Sequence, residues 1–185
     1  MTPLTNPAVS AMALEKTTLA LMQEFLANYF DGQPHDVGAN EDVPFPLVEL
    51  KFQQSAVTQP LDAGPGVSIT MVWNEGSGNR KFWTPWTPPA TGGTPGPPEL
   101  QETAFTRVSW NFWVRANGTN AKANARAAAD ALSGLLGNVG ETRALAQKGI
   151  HRVRSNAPRA VADSAYSLRL VTATAMLRYP ILSQV

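Results

Sequence analysis

The sequence predicts a single α+β domain over residues 1–185, with a mostly antiparallel, mixed β-sheet and two main helices packed on one face. Two segments repeat apolar residues at the three- and four-residue spacing of a helix, and several others alternate apolar and polar residues as strands do. The predicted order is α-β-β-β-α-β-β, preceded by an N-terminal arm over residues 1–11 and interrupted by one long loop. A chain of 185 residues suits one domain with one core.

The N-terminal half is predicted to contain one helix and two strands. Ala13 to Phe30 keeps helical spacing of apolar residues and contains neither Gly nor Pro. Residues 31–46 are predicted to form a loop, because three prolines and two glycines interrupt any regular pattern. Leu47–Phe52 and Val67–Trp73 then alternate apolar and polar side chains, which predicts two strands.

Residues 74–101 are predicted to form an extended loop rich in Pro, Gly and Trp. Proline lacks the backbone donor that a strand ladder needs, and loops of this length are usually functional or disordered. Aromatic residues among prolines are typical of an interface anchor, but they also serve to cover the end of a domain's own core. Both interpretations apply to the candidate interface residues of this segment, which are Arg80, Lys81, Trp83 and Trp86.

The C-terminal half is predicted to contain three strands and the second helix. The alternation is clearest in Phe105–Arg115, which places five residues on one side: Thr106, Val108, Trp110, Phe112 and Val114. An alanine-rich helix follows, capped by Asn120 and continuing through Leu136. A short strand from Ile150 to Arg154 and a long one from Tyr166 to Tyr179 complete the sheet.

The charge of the chain is divided unevenly along its length. Residues 1–100 carry a net charge of −6 and residues 101–185 a net charge of +7. Only 16% of the residues are charged, against a usual value of about 25%. We interpret the low charge as a sign that part of the surface is covered, and the division as a sign of a partner.

The residues that catalysis or metal binding requires do not form a recognisable set. The chain has no cysteine, and its two histidines, His35 and His151, have no partner at metal-binding spacing. No nucleophile–base or acid–base set can be assembled, so we expect no enzyme activity, no cofactor and no metal. We also expect no signal peptide and no membrane partner, and therefore synthesis and assembly in a cytoplasm.

A basic strand is the other candidate site. Arg152 and Arg154 stand two residues apart, which places both on one face of a strand, with Lys148, His151 and Arg159 nearby. Such a surface faces nucleic acid or an acidic neighbour, or it is a solvated edge strand protected by its charge. The pattern leaves these alternatives open.

The order of the elements from residue 12 to residue 180 resembles that of the tail terminators (tail-completion or neck proteins) of long-tailed bacteriophages. The resemblance depends on the opening helix, the two strands after it, and the join of Arg107–Arg115 through Asn117-Gly118 into the alanine-rich helix. It implies a structural virion protein without catalysis, which forms a ring, commonly a hexamer, on the tail tube. Such a ring stops tube polymerisation and joins the head. The resemblance therefore implies three partners, which are the tube protein, a head-completion or connector protein, and DNA in the lumen of the ring.

The division of charge suggests how subunits of such a ring meet. We hypothesise that acids of one subunit contact arginines of the next, the acids being Asp31, Asp36, Glu41 and Asp42 and the arginines Arg143, Arg152 and Arg154. A competing hypothesis directs Arg152 and Arg154 to DNA in the lumen.

Three alternatives to the tail terminator are another neck protein, a nucleic-acid-binding module that stacks bases on Trp110 or Trp113, and a small enzyme.

Overall fold

A computed structural model describes eight stretches of the chain: residues 3–10, 14–30, 34–36, 42–44, 66–86, 99–117, 121–161 and 167–180. The helices are α1 (Leu14–Phe30), α2 (Ala121–Gly137) and α3 (Arg143–Gln147). The strands are β1 (Pro34–Asp36), β2 (Asp42–Pro44), β3 (Gly66–Trp86), β4 (Glu99–Asn117), β5 (Ile150–Ser155), β6 (Arg159–Val161) and β7 (Ser167–Pro180).

Five of these strands form the central sheet, in the order β3-β4-β7-β5, with β6 also paired to β7. Every strand pair described is antiparallel. The β4–β7 pairing is continuous from Thr103 opposite Pro180 to Ala116 opposite Ser167. The predicted α+β class with a mostly antiparallel sheet is confirmed.

The hydrophobic core lies between one face of this sheet and the helices. Alternation along β4 buries the five residues that the sequence predicted for one side, and Trp110 and Phe112 are completely buried. The apolar stripe of α2 packs there through small side chains such as Ala125 and Ala129, which allow the helix to approach the sheet closely. α1 contributes Leu21, Met22 and Leu26 to the same core. We call this side of the sheet the helix face.

The segment predicted as a loop over residues 74–101 is strand at both of its ends, which is a correction. β3 continues to Trp86 and β4 already begins at Glu99, while residues 87–98 lie outside the described part of the chain. A proline fits here because β3 is an edge strand, where only every second N–H is needed for the ladder. The register shifts between Asn74 and Asn79, where a bulge absorbs the irregular sequence.

The loop predicted over residues 31–46 also contains regular structure. β1 and β2 pair as a small separate sheet, with Pro34 opposite Pro44 at one end. A two-stranded ribbon has two free edges, so prolines at its ends need not break a ladder. The strand predicted over Leu47–Phe52 lies outside the described residues.

The N-terminal arm is held against α1 by one carboxylate. Glu24 accepts hydrogen bonds from the backbone N–H of Thr5 at 2.6 Å, from the Thr5 hydroxyl at 2.8 Å and from the N–H of Asn6 at 3.1 Å. Further along, the N–H of Val9 donates to the carbonyl of Lys148 at 3.0 Å, and Val9 is buried. The arm therefore reaches the turn that precedes β5.

Candidate basic surface and hairpin extension

Each strand of the central sheet places an exposed arginine on the face opposite the helices. Directly opposed residues of antiparallel strands point to the same side, so the register identifies the members of this surface. Arg80 and Arg178 both oppose Phe105, and Arg107 opposes Met176. On the other side of β7, Arg154 opposes Thr174 and Arg159 opposes Leu170. We call these five the arginine track: Arg80, Arg107, Arg154, Arg159 and Arg178.

No acid of the described residues neutralises the track. The ion pairs that the structure describes join Lys81 to Glu102 at 3.7 Å and Arg126 to Asp130 at 3.7 Å, and neither includes a track arginine. Successive residues of a strand point to opposite faces, and Glu102 lies an odd number of residues from Arg107 on β4. Glu102 therefore lies on the helix face, opposite the track. The described part of the track is therefore a surface of one charge sign.

A β-bulge corrects the predicted geometry of the basic strand. His151 opposes Met176, but Arg154 opposes Thr174, so β5 contains one residue more than β7 over this interval. Arg152 adopts a positive φ of 53° inside the bulge. The simple alternation that placed Arg152 and Arg154 on one face does not hold through the bulge; instead Arg154 shares its face with His151.

A cleft opens at the end of the track where β4, β7 and the turn before β5 meet. Its volume is about 410 Å³, and its described polar lining comes from Gln101, Thr103, Gln147, Lys148, His151 and Arg178. Three of these side chains are bases, and the described lining contains no acid. The cleft is therefore suited to an anion.

The environment of His151 disfavours its positive charge. Burial lowers the pKa of the imidazole first, and the nearby Arg178 and Arg152 lower it further. His151 is therefore neutral in the free protein near pH 7 and can donate one N–H to an anion. A bound anion would offset the repulsion from the two arginines.

The second candidate surface is the distal part of the β3–β4 hairpin. Beyond the row of Phe82, Thr103 and Pro180, β7 ends and the hairpin continues as two strands, residues 83–86 paired with residues 99–102. We call this part the hairpin extension. Trp83 and Leu100 lie on the same face of it, each 67% exposed, and Phe82 at its base is 49% exposed.

The remaining predicted site residues are dispersed or only partly described. Lys81 is exposed at the base of the extension, and the side chain of Trp86 lies outside the described part of the structure. Arg143 is exposed at the first residue of α3 and is not a member of the track. The backbones of Asp36 and Asp42 oppose each other in the β1–β2 hairpin, whereas Asp31 and Glu41 lie outside the described residues.

The sequence alone did not identify two members of the track as candidates. It also proposed two tryptophans for base stacking, and one of them is buried. Arg107 and Arg178 stand on different strands, and the alternation that placed Arg107 opposite the core was the available signal. Their proximity requires the β4–β7 register, which single-strand patterns do not contain. Trp110, considered for base stacking, is completely buried, whereas Trp113 is half-buried on the face of the track.

Comparison with known proteins gives no family for this chain. No family model matches it, and no curated protein matches it either.

Within the described residues, no three or more His, Asp or Glu side chains are grouped as metal ligands would be. None of the described helices has the length and apolar character of a membrane span.

Proposed function

We propose that this protein is a structural virion protein that assembles as a ring on the end of a phage tail tube. The ring ends tube polymerisation and presents the surface to which the head joins, and DNA passes through its lumen. The order of the elements along residues 12–180 supports this proposal through its resemblance to tail terminators. The structural feature that most directly supports assembly into a ring is the hairpin extension.

The extension has the properties of a contact between subunits. A two-stranded hairpin is marginally stable by itself in water, so one that projects beyond its sheet gains stability from packing against another surface. Its exposed Trp83 and Leu100 on one face are residue types that stabilise interfaces when they are buried. In a closed ring each subunit presents two different surfaces to its neighbours, and a projecting hairpin provides one of them.

The mass of the purified full-length protein tests this proposal. We expect a ring of about six copies by native mass spectrometry, with a central hole in electron micrographs. Replacing both apolar residues of the extension (Trp83→Ser with Leu100→Ser) should shift the mass to smaller species. The matched control is Lys122→Ser with Ala123→Ser, since both residues are exposed on α2 and should not affect assembly.

A monomer at high concentration, or a ring that the extension variant leaves intact, contradicts the proposal. Addition of the protein to polymerising tube protein separates the tail terminator from another neck protein. A terminator should bind the tube end and shorten the tubes, whereas a head-completion or connector protein should leave tube length unchanged.

The arginine track favours a second candidate, a nucleic-acid-binding module. Exposed arginines without described acidic partners are typical of a surface that contacts phosphates. Tight, salt-sensitive DNA binding by a protein that remains monomeric would favour this candidate over the ring.

A further inference from the structure

The arginine track includes one residue from each strand of the sheet. The distances between its Cα atoms suit a polymer with several negative charges better than a single small anion. Neighbouring positions on one face of a strand are about 6.8 Å apart and neighbouring strands about 4.8 Å apart. The Cα atoms of Arg178 and Arg107, one strand and one row apart, are therefore separated by about 8 Å, and those of Arg107 and Arg154 by about 12 Å. Five bases follow one another over this face.

Arginine is the side chain whose chemistry fits phosphate best. Its guanidinium keeps its charge at all relevant pH values and donates two parallel hydrogen bonds to two phosphate oxygens. All five track arginines are exposed, and none forms an ion pair with a described acid. Within the described part of the chain, no acid therefore competes with a ligand for their donors.

The cleft at the end of the track adds a recessed position. Lys148 and Arg178 provide positive charge there, and His151 provides a neutral N–H donor. Arg178 belongs to both the cleft and the track, so an anion in the cleft is continuous with anions bound along the sheet.

We propose that this face of the sheet binds phosphate groups of a nucleic acid backbone, with one phosphate in the cleft of Lys148, His151 and Arg178 and others along Arg107 and Arg154. The inference deepens the proposed function, and rests on it in expecting DNA as the source of the phosphates. Its test does not depend on ring formation. A nucleic acid is favoured over an acidic protein because its backbone carries a phosphate at every nucleotide and so supplies successive charges to arginines that are spread over the face.

Binding of a fluorescently labelled DNA duplex to the full-length protein tests this inference. We compare two variants that each remove two positive charges from the site: Arg107→Gln with Arg154→Gln on the track, and Lys148→Gln with Arg178→Gln in the cleft. The matched control, Lys122→Gln with Arg126→Gln, removes two charges from the exposed surface of α2 in the helix layer. All three double variants have the same net charge.

Loss of two phosphate contacts should reduce the slope of log affinity against log salt by about 2, and weaken binding on the order of tenfold at about 50 mM salt. The control should keep the slope of the unmodified protein. Equal losses in the control and the track variants, or no DNA binding at low salt, overturn the inference. Thermal melting of each variant confirms that the loss does not come from unfolding.

Inorganic phosphate distinguishes the two sources of the ligand. At matched ionic strength, phosphate should compete with DNA more strongly than chloride does, and this difference should disappear in the Lys148→Gln, Arg178→Gln variant. Phosphate-specific binding at the cleft without DNA binding supports a site for free phosphate and overturns the nucleic acid assignment. Preference for an acidic peptide over DNA overturns it as well.

The mass of the same samples separates this inference from the proposed function. A protein that is monomeric but shows the expected salt slopes retains the phosphate site and refutes the ring. A ring whose track variants bind DNA as before retains the ring and refutes the site.

Discussion

At the scale of single residues, Gly149 has the strictest backbone requirement among the described glycines. Its φ is +100°, and a Cβ atom built on it would lie 2.5 Å from the carbonyl oxygen of Arg178. The same two residues are joined by a hydrogen bond from the N–H of Arg178 to the carbonyl of Gly149 at 2.7 Å. A side chain here would therefore strain the backbone and separate the turn from β7.

We expect Gly149→Ala to lower the free energy of unfolding by about 2 kcal/mol or more, since an unfavourable φ alone accounts for about 1–3 kcal/mol. Urea unfolding monitored by circular dichroism measures the change. Gly134→Ala is the matched control: Gly134 lies in α2 with no atom within 4 Å of the added Cβ, so alanine should stabilise the helix. Equal stability of Gly149→Ala and the unmodified protein contradicts this account.

The titration of His151 gives a pH dependence with a defined sign. Burial, Arg178 and Arg152 lower the pKa of His151 in the folded state, so below the usual value of 6.5 the unfolded chain binds the proton more readily. The contribution of His151 to the stability of the fold is therefore most favourable above pH 6.5 and decreases as the pH falls from 6.5 toward the folded pKa. Lys148 lines the same cleft and adds a further positive charge to it.

His151→Gln should remove this contribution. We expect the difference in unfolding free energy between the unmodified protein and the variant to change below pH 6.5 and to be constant above it. Urea unfolding over a pH series measures this difference, and other titrating groups cancel because both proteins contain them. A difference that does not vary with pH contradicts the assigned environment of His151.

At the scale of elements, the sequence predicts a strand well where one of its faces is buried. β4 is the best case: burial of Val108, Trp110 and Phe112 against the helices imposes a strict alternation, and the alternation is visible in the sequence. The apolar stripe of α2 is predictable for the same reason, because Leu132 and its neighbours at helical spacing face one core.

The hairpin extension and the β5 bulge are among the features that the sequence does not predict, as are β1, β2, β6 and α3. The extension has no buried face to impose alternation, and its proline is acceptable only because β3 lies at an edge of the sheet. The bulge at Arg152 depends on the pairing of β5 with β7, which is a long-range property. Three of the five track arginines, Arg80, Arg154 and Arg159, were predictable as basic candidates, but the assembly of the track on one face depends on strand order and register.

At the scale of the whole molecule, the fold places the candidate arginines of the C-terminal half on different elements. Arg154 belongs to the arginine track on the sheet, whereas Arg143 is exposed at the start of α3. Of the three arginines that the sequence grouped as one interface, Arg154 therefore lies on the track, Arg152 in the β5 bulge and Arg143 on α3. Contact with an acidic neighbour and contact with DNA can therefore be tested separately at Arg143 and Arg154.

Charge reversal at these two positions should therefore have separate effects. Arg154→Glu should weaken DNA binding and reduce its salt slope, by about 1 or more, while leaving the mass of the assembly unchanged. If Arg143 contacts an acid of the neighbouring subunit, Arg143→Glu should reduce the mass of the assembly and leave the salt slope of DNA binding unchanged. Mass measurement and DNA titration on the same samples compare the two variants.

If the acids of the β1–β2 hairpin are the partners of Arg143, restoring opposite charges should restore assembly. The variant that combines Arg143→Glu with Asp36→Lys and Asp42→Lys should recover the mass of the unmodified protein, because Asp36 and Asp42 oppose each other in the hairpin and change sign together. Asp36→Lys with Asp42→Lys alone should fail to assemble, as Arg143→Glu does. Failure of the combined variant while both partial variants lose assembly assigns the partner of Arg143 to other acids and rejects the complementary contact.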